Sequence, residues 1–465
     1  MKHHHFLIIS LPAQGHINPT LQLAKNLARG GTKVTFATTI RGLQRVQDSL
    51  PTLKGLSYAT FSDGHDDEES LKHGGDFVGY MADLRRVGSQ NLTEILHKFL
   101  DEGQPVTCLV YTILLPWAAA VARDMHVPSA FVSIQCATVF AIYHQFFNSH
   151  NGIHDDWNIE SSVIIPKLPS FPSIDLPNFL LPDNPMHPLI VPIMREHIQE
   201  LEKDTGSLVF LNTFQELENE AIKYLEDKMS VIAIGPLVPS AFLDCNDSTD
   251  KSFGGDLFIK NEDYFHWLDS KPEKSVVYVS FGSFVVMSKE QKVEILHGLM
   301  ESKRPFLWVI RSSENEEEEE MKKVLENEVN TRDGIIVSWC SQMEVLSHKS
   351  IGCYVTHSGW NSTLESLVCG VPLIGCPHFA DQSTNAKMVE EVWGSGIRAR
   401  ANGEVMIERN ELKKYLEIVM GDGERGKEIR RNALKWRALA VEAVKDGGST
   451  YNNLKTVLEK SGLDS

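Results

Sequence analysis

The sequence predicts an α/β protein of two domains, each built on a parallel sheet. Three observations carry this. At 465 residues the chain is too long for one ordinary core and suits two domains of roughly 200 residues each. Short apolar runs alternate with helix-period stretches from end to end, the pattern of strands joined by crossover helices. The alternation lapses once, from Pro236 to about Asp263, where "PLVPSAFLDCNDSTDKSFGGD" has the composition of a linker. The expected division is therefore a first domain over 1–240, a linker over 241–262, a second domain over 263–445 and a final helix over 446–465.

In chain order, "FLIIS", "PTLQLAKNLARGG" and "KVTFATT" read as strand, helix, strand. "VTCLVYT", "LPWAAAVARDM" and "PSAFVSI" repeat the unit, and "SLVFLNTF" and "VIAIGPL" add buried strands to the first domain. After the linker come "SVVYVSFGS", the helix-period "EQKVEILHGLMES", then "FLWVI", "GIIVSW" and "GCYVTH". "GSTYNNLKTVLEK" closes the chain as a helix. The acidic run Glu316 to Glu320 reads as a solvated loop, because like charges repel and stay wet. "HDDEES", His65 to Ser70, reads as an exposed loop and not a metal site. "GDGERG", Gly421 to Gly426, matches the dinucleotide fingerprint, but it follows a helical stretch instead of a strand. It is read as a helix end and turn, which removes the main support for a nicotinamide oxidoreductase.

Composition narrows the function. A net charge of −17 argues against a nucleic-acid partner. No window approaches the ~18 uninterrupted apolar residues of a membrane span. The apolar run after "MKHHH" is too short for a signal peptide, so a cytoplasmic location is expected. Seven cysteines without paired spacing read as small buried hydrophobes, and neither CxxC nor HExxH supports zinc.

The densest chemistry lies in "GCYVTHSGWNSTLESLVCGVPLIGCPHFADQ". A strand ends on His357, a glycine turn follows, and a helix opens near Asn361 and Ser362. Such a helix end exposes backbone N–H groups and about half a positive charge, which suits a phosphate. Ordinary helix capping by the same Asn and Ser explains the pattern equally well when it is taken alone. Glu365, one turn further on the same face, suits a ribose diol. Trp339, after another strand, offers a face for a base. Asp381 and Gln382 end a further strand-like run with groups that bind hydroxyls.

From Trp339 to Gln382 the chain resembles the C-terminal signature of plant family 1 UDP-dependent glycosyltransferases, with "WCSQ", "HSGWNSTLES" and "DQ" in register. "PAQGHINP", "LVFLNTFQELE", "AIGPL" and "VVYVSFGS" extend the resemblance over the whole chain. "CLVYTILLPWAA" and "GPLVPSAFLD" are most similar to the branch of anthocyanin 5-O-glucosyltransferases and crocetin glucosyltransferases. The resemblance implies a GT-B fold, two Rossmann-like domains facing across a cleft, with the acceptor in the first and the donor in the second. It implies that Trp339 stacks on uracil, that the Cys340 backbone pairs with the base edge, and that Gln342 and Glu365 hold the ribose. His357, Asn361, Ser362, Ser280 and Ser283 would hold the diphosphate. Trp360, Asp381, Gln382 and, from the first domain, Gln135 would meet the sugar, with Gln382 pointing to UDP-glucose. Two departures stand out: Ser358 replaces the usual Cys, and "HFAD" replaces the commoner "HWTD" or "QWTD".

In the first domain, His16 reads as a loop histidine just before a helix capped by Asn18 with Pro19 at its first position. The resemblance makes it the general base of an inverting displacement, with no cofactor and, for want of a DxD motif, no metal. Thr112 stands where an orienting Asp is expected. Without that charge the imidazolium is less stabilised. The enzyme is expected either to recruit another carboxylate or to favour acidic acceptors. The expected partners are UDP-glucose and a small apolar aromatic or isoprenoid-derived acceptor such as a flavonoid, anthocyanin or apocarotenoid acid. The chain is expected to act as a monomer. A sugar-nucleotide-binding protein without turnover is the alternative, resting on Thr112 alone.

Overall fold

The computed structural model describes residues 4–66, 77–148, 162–204, 206–243, 248–254, 264–283, 285, 287–311, 316–329, 333–400 and 407–460. Parts of the expected linker and of the His65 to Ser70 stretch lie outside the described residues.

The first domain holds a seven-stranded sheet of β1 (His5–Ile9), β2 (Lys33–Thr39), β3 (Leu56–Phe61), β4 (Cys108–Thr112), β5 (Ser129–Ser133), β8 (Leu208–Leu211) and β9 (Val231–Ala233). Its spatial order is β3-β2-β1-β4-β5-β8-β9, and every pairing is parallel. A small antiparallel pair, β6 (Ser162–Val163) and β7 (Phe171–Pro172), lies apart from it. The second domain holds β10 (Val276–Ser280), β11 (Phe306–Val309), β12 (Gly334–Val337), β13 (Ile351–Thr356), β14 (Leu373–Gly375) and β15 (Gly396–Arg398), all parallel, in the order β12-β11-β10-β13-β14-β15. Both sheets reverse their winding beside their first strand, as Rossmann-like sheets do. The crevice at such a reversal, at the carboxyl ends of the strands, is where ligands bind.

The strands read as continuous apolar runs because both faces are covered. Alternate residues of β1 enter opposite cores: Leu7 and Ile9 one, Phe6 and Ile8 the other. In β10, Val277 and Val279 face one layer while Val276 and Tyr278 face the other.

The domains are joined by buried tryptophans. Trp360, Trp393 and Trp436 share a core with Phe214 and Leu217 of the first domain. Trp360 donates Nε1–H to the Asn212 carbonyl at 2.7 Å, and Trp393 to that of Leu217 at 3.2 Å. The final helix Ser449–Lys460 returns to the first domain, where Asn453 Nδ2 donates to the Ala233 carbonyl at 2.8 Å and Leu454, Val457 and Leu458 join the core under β1.

Two expectations need correction. The acidic run opens the helix Glu316–Val329, because carboxylates at a helix N-terminus are favoured by its dipole. The His16 helix spans Gln14–Arg29, so His16 sits in its first turn, not in a loop, and Pro19 lies inside it. Asn18 is not the cap; its side chain accepts from Gln14 Nε2. The Gly421 region behaves as read, joining the helices Arg409–Met420 and Glu424–Val444.

Candidate active site

In the second domain, the helix Trp360–Cys369 starts directly behind β13. Its N-cap is Gly359, and no side chain among the described residues caps it. Capping at the N-cap position therefore does not account for Asn361 and Ser362, and first-turn N–H groups placed behind the carboxyl end of β13 are chemically suited to an anion. Ser280 ends β10 opposite Thr356 of β13, and Ser283 is half-buried in the turn that follows.

His357 lies between two glycines. A Cβ at Gly282 would stand 2.8 Å from its Nε2, and one at Gly359 2.6 Å. Only glycine leaves room for the ring at either place, and Gly282 also needs its positive φ of 71°. Thr356 Oγ1 is 3.2 Å from His357 Nδ1. Donation by that hydroxyl leaves the ring proton on Nε2, toward the anion site. Burial, with a smaller push from His378, lowers the His357 pKa to about 4, so the ring is neutral at physiological pH.

Five polar side chains knit the wall behind this helix. Gln342 donates Nε2–H to Glu365 at 2.7 Å and to Ser362 Oγ at 3.1 Å. Its Oε1 accepts from Tyr278 at 3.2 Å and Tyr354 at 2.8 Å, whose rings stack 4.9 Å apart. The Tyr278 hydroxyl also lies 3.3 Å from the buried Cys340 Sγ. Glu365 is 3% exposed, and burial raises its pKa to about 7 against the opposing Gln342 hydrogen bond. Trp339 is half-buried in the loop after β12. Neither tyrosine was singled out from the sequence, where each reads as one more core residue of a strand.

The sugar-side candidates divide. Gln382 accepts the main-chain N–H groups of His378 and Phe379 on Oε1, both at 2.8 Å. Asp381 is buried, accepts from Asn385 at 2.8 Å, and has its pKa raised by desolvation against hydrogen bonds from Asn385 and Gln135. Gln135, at the end of β5, thus meets Asp381 from the opposite domain. The Trp360 indole N–H is used across the domains, on the Asn212 carbonyl.

His16 and Thr112 stand at the winding reversal between β1 and β4, with Nδ1 and Oγ1 3.3 Å apart. With the Thr112 hydroxyl turned toward the Ile113 carbonyl 3.5 Å away, it accepts from His16 Nδ1. That places the imidazole proton on Nδ1 and the lone pair on Nε2. Desolvation lowers the His16 pKa to about 4. Among the described residues no carboxylate pairs with His16 in place of the missing Asp.

Pro19 connects the two halves. It lacks the N–H that would bond the Gly15 carbonyl four residues back. That carbonyl instead accepts Asn361 Nδ2 at 3.0 Å, across the domains. The histidine helix and the anion-site helix therefore touch end to end.

Comparison with known proteins agrees with this geometry. Residues 258–435 match the family described as "UDP-glucoronosyl and UDP-glucosyl transferase". The chain is 49% identical to crocetin glucosyltransferase, chloroplastic, of Gardenia jasminoides, over 98% of this chain and 97% of that one. It is 47% identical to phloretin 4'-O-glucosyltransferase of Malus domestica, over 99% and 98%, and 44% identical to anthocyanidin 3-O-glucoside 5-O-glucosyltransferase 1 of Perilla frutescens, over 98% and 98%. The crystal structure of Os79 from O. sativa in complex with UDP superposes with a TM-score of 0.88 at 33% identity, covering 98% of this chain and 100% of that one. The chain belongs to the plant UDP-dependent glycosyltransferases of the GT-B fold.

Proposed function

We propose that this chain is an inverting, UDP-glucose-dependent O-glucosyltransferase that makes the β-glucoside or glucose ester of a small plant metabolite, such as a flavonoid, anthocyanin or apocarotenoid acid. One observation carries the reading: His16, its lone pair on Nε2, sits on a helix whose Gly15 carbonyl is bonded to Asn361 at the open N-terminus of the anion-site helix. A base and a leaving-group site thus face one another. The names of the relatives, which glucosylate crocetin, phloretin and anthocyanidin 3-O-glucoside, support the substrate class.

In the proposed reaction His16 Nε2 takes the acceptor's proton as its oxygen attacks the anomeric carbon. The bond from that carbon to the β-phosphate oxygen breaks, and the electron pair leaves with UDP. The growing charge is met by the helix N-terminus, Asn361, Ser362, Ser280, Ser283 and the neutral His357, so we propose that no metal or cofactor is needed. Trp339 and the Cys340 backbone would take the uracil, Gln342 and Glu365 the ribose, and Asp381, Gln382 and Gln135 the glucose. A base with a pKa near 4 is poorly matched to a phenol of pKa ~10. A carboxylic acid, already ionised, needs no base. Acidic acceptors are the preferred class on this ground. Both halves of the site come from one chain, which supports action as a monomer, and the six described cysteines are all free, which suits the reducing cytoplasm.

The test is product analysis by mass spectrometry of UDP-glucose reactions on a panel of phenols and carboxylic acids, with and without a chelator. His16→Ala should lower phenol turnover by ~10²–10⁴-fold and acid turnover far less. Undiminished phenol turnover by that variant removes the proposed base; UDP binding without product from any acceptor leaves a binding protein.

A further inference from the structure

The loop His378–Asp381, which presents Asp381 and Gln382, is gripped from two sides. From its own domain Gln382 takes two of its N–H groups. From the other domain comes Asn178. The Asn178 main-chain N–H donates to the Ala380 carbonyl at 3.0 Å. Its Oδ1 accepts from the Ala380 N–H at 2.9 Å, and its Nδ2 donates to the His378 carbonyl at 3.2 Å. These last two bonds have opposite polarity, so they also settle which way the amide points.

The loop needs such a grip. Ala380 has a φ of 54°, a left-handed conformation that costs an alanine about 1 kcal/mol. The surrounding segment is anchored on the same neighbour: Thr384 Oγ1 donates to the Asp175 carbonyl at 2.6 Å, and the Asp175 carboxylate pairs with Lys387 at 2.9 Å and with Arg398. Behind Asn178, Phe179 is buried with its ring 5.8 Å from that of Tyr143. The Tyr143 hydroxyl donates to Gln135 Oε1 at 3.2 Å, and Gln135 hydrogen-bonds Asp381. The chain of contacts from Asn178 through the loop returns to the first domain within one ring of residues.

We propose that Asn178 is a positioning residue for the donor sugar: an amide from the acceptor-side domain that holds the His378–Asp381 loop in the shape that sets sugar selectivity. This rests on the reading that Asp381 and Gln382 meet the sugar. The segment that packs beside the acceptor side of the cleft would thereby tune which hexose is transferred.

The experiment uses the full chain and steady-state kinetics with UDP-glucose and UDP-galactose, together with calorimetric affinity for UDP alone. Asn178→Ala should raise KM for UDP-glucose ~5–20-fold and shrink the glucose-to-galactose ratio of kcat/KM at least ~5-fold, from the loss of two side-chain hydrogen bonds. UDP affinity should stay within about twofold, because the nucleotide pocket is untouched. Ala380→Gly in the same chain should recover much of the loss, since glycine holds a positive φ without help; general destabilisation would not be rescued this way. Asn178→Asp, which keeps the acceptor for Ala380 but sets a carboxylate oxygen against the His378 carbonyl in place of a donor, should change both readouts in the same sense and serves if the alanine variant is unstable. Unchanged donor KM and ratio in both Asn178 variants, with Gln382→Ala impaired, overturns the clamp and leaves the sugar site standing. A silent Gln382→Ala overturns the sugar-site reading beneath it.

Discussion

At the level of single residues, the Thr112 hydroxyl sets the character of the base. It fixes the His16 tautomer by accepting from Nδ1 but brings no charge to an imidazolium. Thr112→Asp supplies that charge. The folded His16 pKa should rise from about 4 toward neutrality, so the acid limb of the pH–rate profile should move upward. Turnover of phenols should rise by ~10-fold or more, and turnover of carboxylic acids should stay flat. Rates measured on one acceptor of each kind across pH 4–8 check this, and equal responses of the two would refute it. Glu365 carries the opposite perturbation. With its pKa near 7 the buried carboxyl is about half protonated at neutral pH before ligand arrives. Ribose hydroxyls donating to it favour the ionised form, so UDP binding at pH 7 should release up to about half a proton. Calorimetry in two buffers of different ionisation enthalpy measures that release, and Glu365→Gln should abolish it.

At the level of elements, Pro19 shows how a local rule is broken to serve the site. A proline inside a helix leaves a carbonyl unpaired, and here Asn361 takes it from the other domain. Pro19→Ala returns an N–H that competes for the Gly15 carbonyl. The helix should be no less stable, yet Asn361 loses its partner. A neutral hydrogen bond of about 0.5–1.5 kcal/mol predicts a fall in kcat/KM of ~2–12-fold with an unchanged or higher Tm. A rate equal to that of the parent chain would show that the bond does not position Asn361. The proline also marks the limit of what the sequence discloses. "Asn-Pro" before an apolar helix reads locally as a helix start, because the residue that satisfies Gly15 lies 346 positions away. Strands and their alternation are legible because burial on both faces writes them as apolar runs. His357, Asn361, Ser362 and Glu365 are legible because they crowd around one strand end and one helix start, whereas Gln342 enters only through the family resemblance. Asn178, Asn212 and Asp175 are not, since each acts across the domains through contacts that no local spacing encodes. The bond of the Trp360 indole to Asn212 is hidden from the sequence for the same reason.

At the level of the whole molecule, the buried histidines make the fold sensitive to acid. His197 is fully buried; its Nε2 accepts the Leu114 N–H at 3.0 Å, and its Nδ1 has no partner among the described residues. Leu114, with a φ of 74°, follows Thr112 closely, so this ring props the turn that carries the base's partner. Burial lowers the His197 pKa to about 3. Between pH 3 and 6.5 the unfolded imidazole therefore holds a proton that the folded one refuses. Stability rises with pH through that window and is flat above it. At pH 5, one and a half units below the unfolded value, the cost is about 2 kcal/mol. His357 and His16 act in the same direction between about 4 and 6.5. Glu365 acts in the opposite one, its proton favouring the folded state as pH falls from about 7 toward 4.5. His5 and His144 are also lowered by burial, so five imidazoles stand against the raised carboxyls Glu365 and Asp381, and the chain should be weaker at pH 5 than at pH 7.5. His197→Gln keeps an acceptor for Leu114 and removes the titrating ring. Urea midpoints at the two pH values should converge in this variant by the equivalent of about 2 kcal/mol relative to the parent chain. The same pH dependence in both proteins would mean that His197 is solvated well enough in the folded state to take up its proton.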